Sequence, residues 1–287
     1  MPIQGLTIIG ESINDSVPST KKLYEANDIA GLKELAKSQD EGGAGYIDVN
    51  VGSRTPEFLA EMVRQVQSVT AKPLSIDTPD PVMAEAALKA YDLSRAGGKI
   101  PALNSISPLR VQMFELKKIV PFKPILLVTE RNENGTGKPN HTAEQTYDTA
   151  KQMIAEAKRH GIAVGDCIID AGISPIGADS DDQFQRLIKS IRMIHDDPQF
   201  KGVHMSVGLS NFTVMLPPKR ADGSPTKGPL ESAFLTMAMP LGMDHVIGSV
   251  KRKYEILAPD HAAMQCLAHC LKLEGFDVIM RVQEYYA

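Results

Sequence analysis

The chain has 287 residues, 43% hydrophobic and 23% charged, enough to bury a large core without disulfides or a structural metal. Its 31 basic and 35 acidic side chains leave a net charge of −4 with no Lys/Arg run or basic stripe, so a nucleic-acid partner has no electrostatic support. Cys167, Cys266 and Cys270 are too few for a disulfide framework, Met1 leads into a strand-like segment rather than an apolar signal core, and no apolar run nears the ~18 residues of a membrane span; a soluble protein of the reducing cytoplasm is expected.

Short runs rich in Ile, Leu and Val are predicted as strands at 6–9, 46–49, 73–76, 100–103, 124–128, 167–169, 203–207 and 245–247. Helix-period segments separate them, the pattern of βα units around a parallel sheet. Eight such units close a barrel, so the predicted fold is α/β, a single (β/α)8 TIM barrel over residues 1–287. Helix starts are predicted at Thr55-Pro56, Asp80-Pro81 and Ser107-Pro108, where a capping side chain precedes a proline, and at a capping box of Ser180 and Gln183. Phe58, Leu59, Met62, Val63 and Val66 recur at helical spacing, as do Leu187, Ile188, Ile191 and Ile194; such stripes are core packing. Gly42, Gly43, Gly45, Gly161 and Gly275 read as helix stops, and no phosphate-cradling or dinucleotide fingerprint is present. The Pro/Gly-rich segment 216–228 is expected as a loop over the barrel mouth, a candidate lid.

Polar residues follow each predicted strand: Glu11 and Asn14, Asp48 and Asn50, Asp77, Asn104, Thr129 and Glu130, Asp170, Ser210 and Asn211, then Ser249. Barrel enzymes build their sites at this carboxyl-terminal rim, where the eight βα loops converge. Asp and Asn at strand ends also cap helices and close Asx turns, as Asp80 does, but Asp77, Asn104, Asp170 and Asn211 come straight off apolar strands with no predicted helix start beside them. Carboxylates accept paired N–H groups and carboxamides both donate and accept, which suits a flat polyaza ring; a pterin fits, and so do purine-like and sugar ligands.

Seven segments resemble the pterin-binding barrel methyltransferases, the methyltetrahydrofolate:corrinoid methyltransferases of anaerobes. They are IIGESIN (8–14), GGAGYIDVNVG (42–52), LSIDT (74–78), ALNSIS (102–107), IIDAGISPIG (168–177), VGLSNFT (207–213) and AFLTMAM (233–239). The resemblance implies that Asp77, Asn104 and Asp170 hold a pterin ring, that Gly208 and Ser210 line its pocket, and that Asn211 sits near N5; Asn211 and Asp77 are the implied catalytic pair. Glu11, Asn14, Asp48 and Asn50 would support the site from beneath. The family's arginine after the Asn-containing loop matches approximately to Lys219 or Arg220, the implied grip on the folate tail. Tetrahydrofolate or 5-methyltetrahydrofolate would be the substrate and a corrinoid (cobalamin) the methyl partner, with a homodimer as the usual assembly and no bound metal expected. No D-x-H-x-x-G segment is present to ligate a corrinoid, Asp244-His245 and Asp260-His261 having other spacings, so a separate corrinoid protein is expected. Cys266, His269 and Cys270 could share one helix face as metal ligands, but read as core. Dihydropteroate synthase, which shares the barrel but should carry a basic-His motif near its last strand where this chain reads DHVIGSV (244–250), is the alternative enzyme; a non-catalytic folate-binding module is the alternative of another class.

Overall fold

A computed structural model describes residues 3–287; Met1 and Pro2, included in the one-domain reading and in the signal-core reading, lie outside the described residues. Strand β1 (Thr7–Asn14) precedes helices α1 (Pro18–Glu25) and α2 (Ile29–Glu41); β2 (Tyr46–Asn50) precedes α3 (Pro56–Gln67), and β3 (Leu74–Asp77) precedes α4 (Pro81–Ala90). After β4 (Ala102–Ile106) comes a 3-10 segment, Val111–Lys118, and after β5 (Lys123–Leu127) a hairpin of β6 (Glu130–Glu133) and β7 (Thr136–Pro139) leads into α5 (Ala143–Arg159). Then follow β8 (Ile168–Asp170), α6 (Gln183–Asp196), β9 (His204–Ser206), α7 (Leu209–Phe212), α8 (Lys227–Ala238), β10 (His245–Gly248), α9 (Ala262–Cys270) and α10 (Phe276–Tyr286).

Eight parallel strands form one sheet in the order β10-β1-β2-β3-β4-β5-β8-β9. Isolated parallel bridges Met205–Met243 and Gly208–Ile247 join β9 to β10 and close the ring, so the fold is the predicted (β/α)8 barrel. All eight predicted strands are present; six end later than expected, by one to five residues, so that Asn14, Asn50, Asp77, Asn104 and Asp170 belong to the ladders themselves, and β5 and β9 end one residue earlier. The physical reason is the lumen. Ile9, Ala102, Ile125 and Ile168 are wholly buried and pack with Tyr46 and Ile247 as a small cluster separate from the main core. Side chains alternate along a strand, so residues two positions on, Glu11, Asp48, Asn104, Leu127 and Asp170, point into the same lumen one layer higher.

The outer face is the larger core, where Leu59, Met62, Val63 and Val66 of α3 and Leu187, Ile188, Ile191 and Ile194 of α6 are buried as predicted. Burying each such side chain stabilises the fold by about 1.5–3 kcal/mol. Thr55 and Asp80 cap α3 and α4 through Phe58 N–H and Val82 N–H. Two of the predicted caps do not form. Ser107-Pro108 opens a turn instead, with Ser107 Oγ accepting from Leu109 N–H, and the 3-10 segment starts only at Val111. At α6, Asp179 takes the place of the Ser180/Gln183 box because its two carboxylate oxygens reach Gln183 N–H and Phe184 N–H at 2.7 and 2.8 Å. Of the glycines read as helix stops, Gly43 and Gly161 are left-handed as expected, whereas Gly275 starts α10 and Gly42 keeps a right-handed φ.

No residue of the candidate lid 216–228 lines the cavity at the barrel mouth. Lys219 pairs with Pro225 in a narrow turn, and the turn is tied to the C-terminal helix: Ala221 N–H donates to Tyr286 O, and Arg220 Nε donates to Tyr285 O while its guanidinium stacks 4.7 Å over the Tyr285 ring. Cys266 and Cys270 are buried and His269 is exposed, so these three do not converge on an ion. No helix among the described residues is long and apolar enough to cross a membrane.

Candidate active site

At the carboxyl-terminal mouth of the barrel lies a cavity of about 390 Å³ lined by Glu11, Asn14, Asp77, Asn104, Asp170, Gly208, Ser210 and Asn211, together with Ser16, Ser105, Leu127, Gly172, Ile173 and Ile247. Eight of the residues singled out in the sequence thus meet in one place. Asp48 lies beneath them and Asn50 beside Asp77, while Lys219 and Arg220 stand apart from the cavity, Arg220 being engaged by α10.

The strand register sets the polar wall. Asp77 is paired with Asn104 across β3 and β4, and Asp170 with Leu127 across β5 and β8. Asn50 Nδ2 donates to Asp77 Oδ2 at 2.9 Å, and Asn50 Oδ1 accepts from Gly52 N–H, so both ends of this amide are held and it cannot turn. Burial raises the Asp77 carboxyl to about 6, the Asn50 donor opposing the shift. Asp170 is also pushed up by burial to about 6, against the pull of the Gly172 N–H, which reaches its Oδ1 at 2.8 Å, and of the Arg186 guanidinium. Both carboxylates are therefore ionised at neutral pH, in a setting where a ligand N–H would be held strongly.

Directly below, Asp48 is fully buried and neither of its carboxyl oxygens has a hydrogen-bond partner. Burial, followed by the charge of Asp77, raises this carboxyl well above the usual range, the Ser75 hydroxyl opposing the shift. The Asn50 N–H, received by Asp77, favours charge on the upper carboxyl over the lower one.

The opposite wall is β1 and the short helix α7. Ser210 Oγ donates to Glu11 Oε2 at 2.8 Å, and burial lifts the Glu11 carboxyl despite that bond and the nearby Arg252 charge. Asn211 is exposed at the mouth, and its Nδ2 would lie 2.8 Å from a Cβ placed on Gly208, so the glycine makes room for the carboxamide. Behind α7, Thr213 Oγ1 donates to the wholly buried Glu231 of α8 at 2.5 Å and fixes the end of the Asn211 turn. Gly172 is required twice over: its φ is +67°, and a Cβ there would sit 2.0 Å from Thr129 Cγ2.

Sequence reading missed three contributors. Gly172 and Ile173 line the cavity from the β8 loop, and Arg186 on α6 backs Asp170 while donating to Thr146 Oγ1 and to the carbonyls of Ala171 and Gly172. A buried arginine one position before the first residue of a helical stripe carries no motif, and only its depth in the fold exposes its role.

Acidic and carboxamide groups around a cavity open at a barrel mouth form a site that can accept and donate hydrogen bonds along the edge of a polar ring. The profile of the family described as pterin binding enzyme matches residues 13–248, and this chain belongs to that family. It is 30% identical over 249 residues to methylcorrinoid:tetrahydrofolate methyltransferase of Eubacterium limosum, covering 84% of either chain. Among solved structures it shares its fold with dihydropteroate synthase of Xanthomonas albilineans (TM-score 0.58) and 7,8-dihydropteroate synthase of Vibrio fischeri (TM-score 0.59), each 15% identical with 92% of this chain and 93% of the other covered.

Proposed function

We propose that the whole chain acts as one pterin-binding domain that moves a methyl group between N5 of tetrahydrofolate and the cobalt of a corrinoid carried on a separate protein. The observation that carries this reading is the convergence of Asp77, Asn104, Asp170 and Asn211 on one cavity in a chain 30% identical to a methylcorrinoid:tetrahydrofolate methyltransferase. That relative's name supports the direction from corrinoid to folate. Three free, buried cysteines suit the reducing cytoplasm.

The residues fit a pterin. Asp77 and Asp170, ionised at neutral pH, accept N–H groups from the aminopyrimidine edge, and Asn104 between them donates and accepts. Leu127, Ile173 and Ile247 supply apolar surface for the ring. Asn211, at the open end, faces N5 and hydrogen-bonds there as N5 loses its proton on gaining a methyl group or regains it on giving one up. The bound corrinoid supplies a cobalt centre that gives or takes the methyl in line. The protein's share is to orient the ring, hold N5 at the mouth and steady charge there.

An absorbance assay tests this. Methylcobalamin and tetrahydrofolate, with the enzyme, should lose the methylcobalamin band, and Asn211→Ala should slow that loss. If neither direction of transfer occurs while folate still binds, the pterin site stands and the methyl-transfer reading does not.

A further inference from the structure

At the amino-terminal end of the barrel, opposite the cavity, three side chains meet across the seam that closes the ring. Asp244 directly precedes β10; its Oδ2 lies 2.6 Å from His204 Nδ1 on β9 and its Oδ1 2.8 Å from His245 Nδ1. The two imidazole centroids are 4.7 Å apart. One ligand atom from each residue falls within 4.8 Å of the other two, the sole such group of His, Cys, Asp and Glu donors among the described residues. His245 is buried, but the His204 and Asp244 side chains are 27% and 35% exposed, so the group has one face open to solvent. The backbone holds it rigidly: Met205 N–H donates to Asp244 Oδ1, Asp244 N–H donates to Met205 O, and Asp244 O accepts from Thr7 N–H on β1.

We propose that His204, Asp244 and His245 form a binding site for a divalent transition-metal ion of the zinc class, which fastens β9 to β10 where only two isolated bridges join them. Two imidazole nitrogens and a carboxylate oxygen are a borderline donor set that suits zinc, cobalt(II) or nickel(II), while magnesium and calcium favour all-oxygen surroundings. A tetrahedral ion with bonds near 2.0–2.1 Å separates its ligand atoms by about 3.3 Å. The imidazoles must therefore draw back by roughly half an ångström, and His204, at a partly exposed position, has space to do so. As the ion enters, each Nδ1 gives up the proton it shares with Asp244 and that ring keeps one proton on Nε2, any second ring proton leaving to water, so both imidazoles bind as neutral ligands and a water molecule on the open face completes the coordination.

The site is distinct from the pterin cavity, so the test does not depend on methyl transfer. Tag-free protein freed of metal with chelator is titrated with cobalt(II) alone, following the visible absorption of a tetrahedral ion, and then with zinc in competition. One ion per chain is expected with affinity in the micromolar range or tighter, and a thermal midpoint that rises with zinc concentration. His204→Gln should weaken binding by at least about tenfold while keeping circular dichroism and folate binding, which separates a lost ligand from a lost fold. Asp244→Asn, which retains an oxygen for Met205 N–H, should do the same. Absence of the cobalt spectrum, or a spectrum equally strong in His204→Gln, overturns the proposal and leaves a carboxylate clamped by two imidazole hydrogen bonds.

Discussion

Asp170→Asn should make the ligand-free protein more stable at neutral pH while weakening its hold on folate. The carboxyl is 7% exposed and pushed up to about 6 from an ordinary 3.8. Because the folded value is the higher one, the native state keeps a proton that the unfolded chain releases between pH 3.8 and about 6. The resulting penalty is absent below the unfolded value and complete above the folded one. A difference of about 2 pH units corresponds to ~3 kcal/mol at neutral pH. Asparagine removes that penalty and keeps an oxygen for the Gly172 N–H, but its buried NH2 needs a partner, a cost of about 1–3 kcal/mol that leaves a net gain on the order of 1 kcal/mol. Urea unfolding should show that gain at pH 7.5 and its disappearance by pH 4. Folate affinity should fall by roughly 10- to 100-fold, the loss of a charge-assisted acceptor. A variant no more stable than the parent at pH 7.5, or equally favoured at pH 4, would refute the argument that burial dominates this carboxyl.

Asn211→Ala should cut methyl transfer by about 10²- to 10³-fold while tetrahydrofolate affinity changes little, since this side chain is exposed at the mouth rather than part of the buried wall; single-turnover rates and equilibrium titration separate the two. Gly172→Ala should unfold at lower denaturant and lose folate binding, because the left-handed φ costs about 1–2 kcal/mol and the methyl meets Thr129, displacing the N–H that holds Asp170. Asp48→Asn removes a carboxyl that burial holds well above its ordinary value, so it should remove a loss of stability that the parent suffers as pH rises above the usual carboxylate range; the variant's advantage in urea unfolding should grow with pH, and an advantage independent of pH would count against the raised carboxyl. Asn50→Ala removes the donor that opposes the rise at Asp77, so the pH midpoint for folate binding should move upward and affinity at pH 7 should drop; an unchanged midpoint would count against the Asn50 role.

The barrel was readable because short Ile-, Leu- and Val-rich runs alternate eight times with helix-period segments; the lumen adds a period of two, with Ile9 to Glu11, Ala102 to Asn104 and Ile168 to Asp170 as apolar residues followed two places later by polar ones on the same face. The hairpin of β6 and β7 escaped because hydrophobic periodicity is silent there. Its Asn134-Gly135 turn, both residues at positive φ, is a strong local signal, yet its flanks are Arg131, Glu133 and Lys138 rather than alternating apolar residues. The helix expected from Ser107-Pro108 shows the opposite failure, a good capping signal followed by a segment that closes as 3-10 turns between β4 and β5. Lys219 and Arg220 were placed by alignment with a motif, and the C-terminal helix draws Arg220 away through a carbonyl and an aromatic ring far along the chain. His204 and Asp244 are 40 residues apart and match no spacing rule; only the adjacency of the seventh and eighth barrel strands brings them together.

The two carboxyls at the second and third strands show how the barrel prepares an acceptor before any ligand arrives. At Asp48 burial and the charge of Asp77 both disfavour ionisation, whereas at Asp77 burial is opposed by the Asn50 donor. The Asn50 amide is locked by Gly52 N–H so that it presents NH2 and not oxygen to Asp77. Charge is thereby favoured at the cavity surface, on Asp77, over the wholly buried Asp48 below it. The arrangement costs stability in the free protein because the upper carboxylate lacks its full set of donors. On the proposed reading, a ligand that offers paired N–H groups supplies them, so this rim should bind a donor-edged ring in preference to a carboxylate or phosphate of similar size.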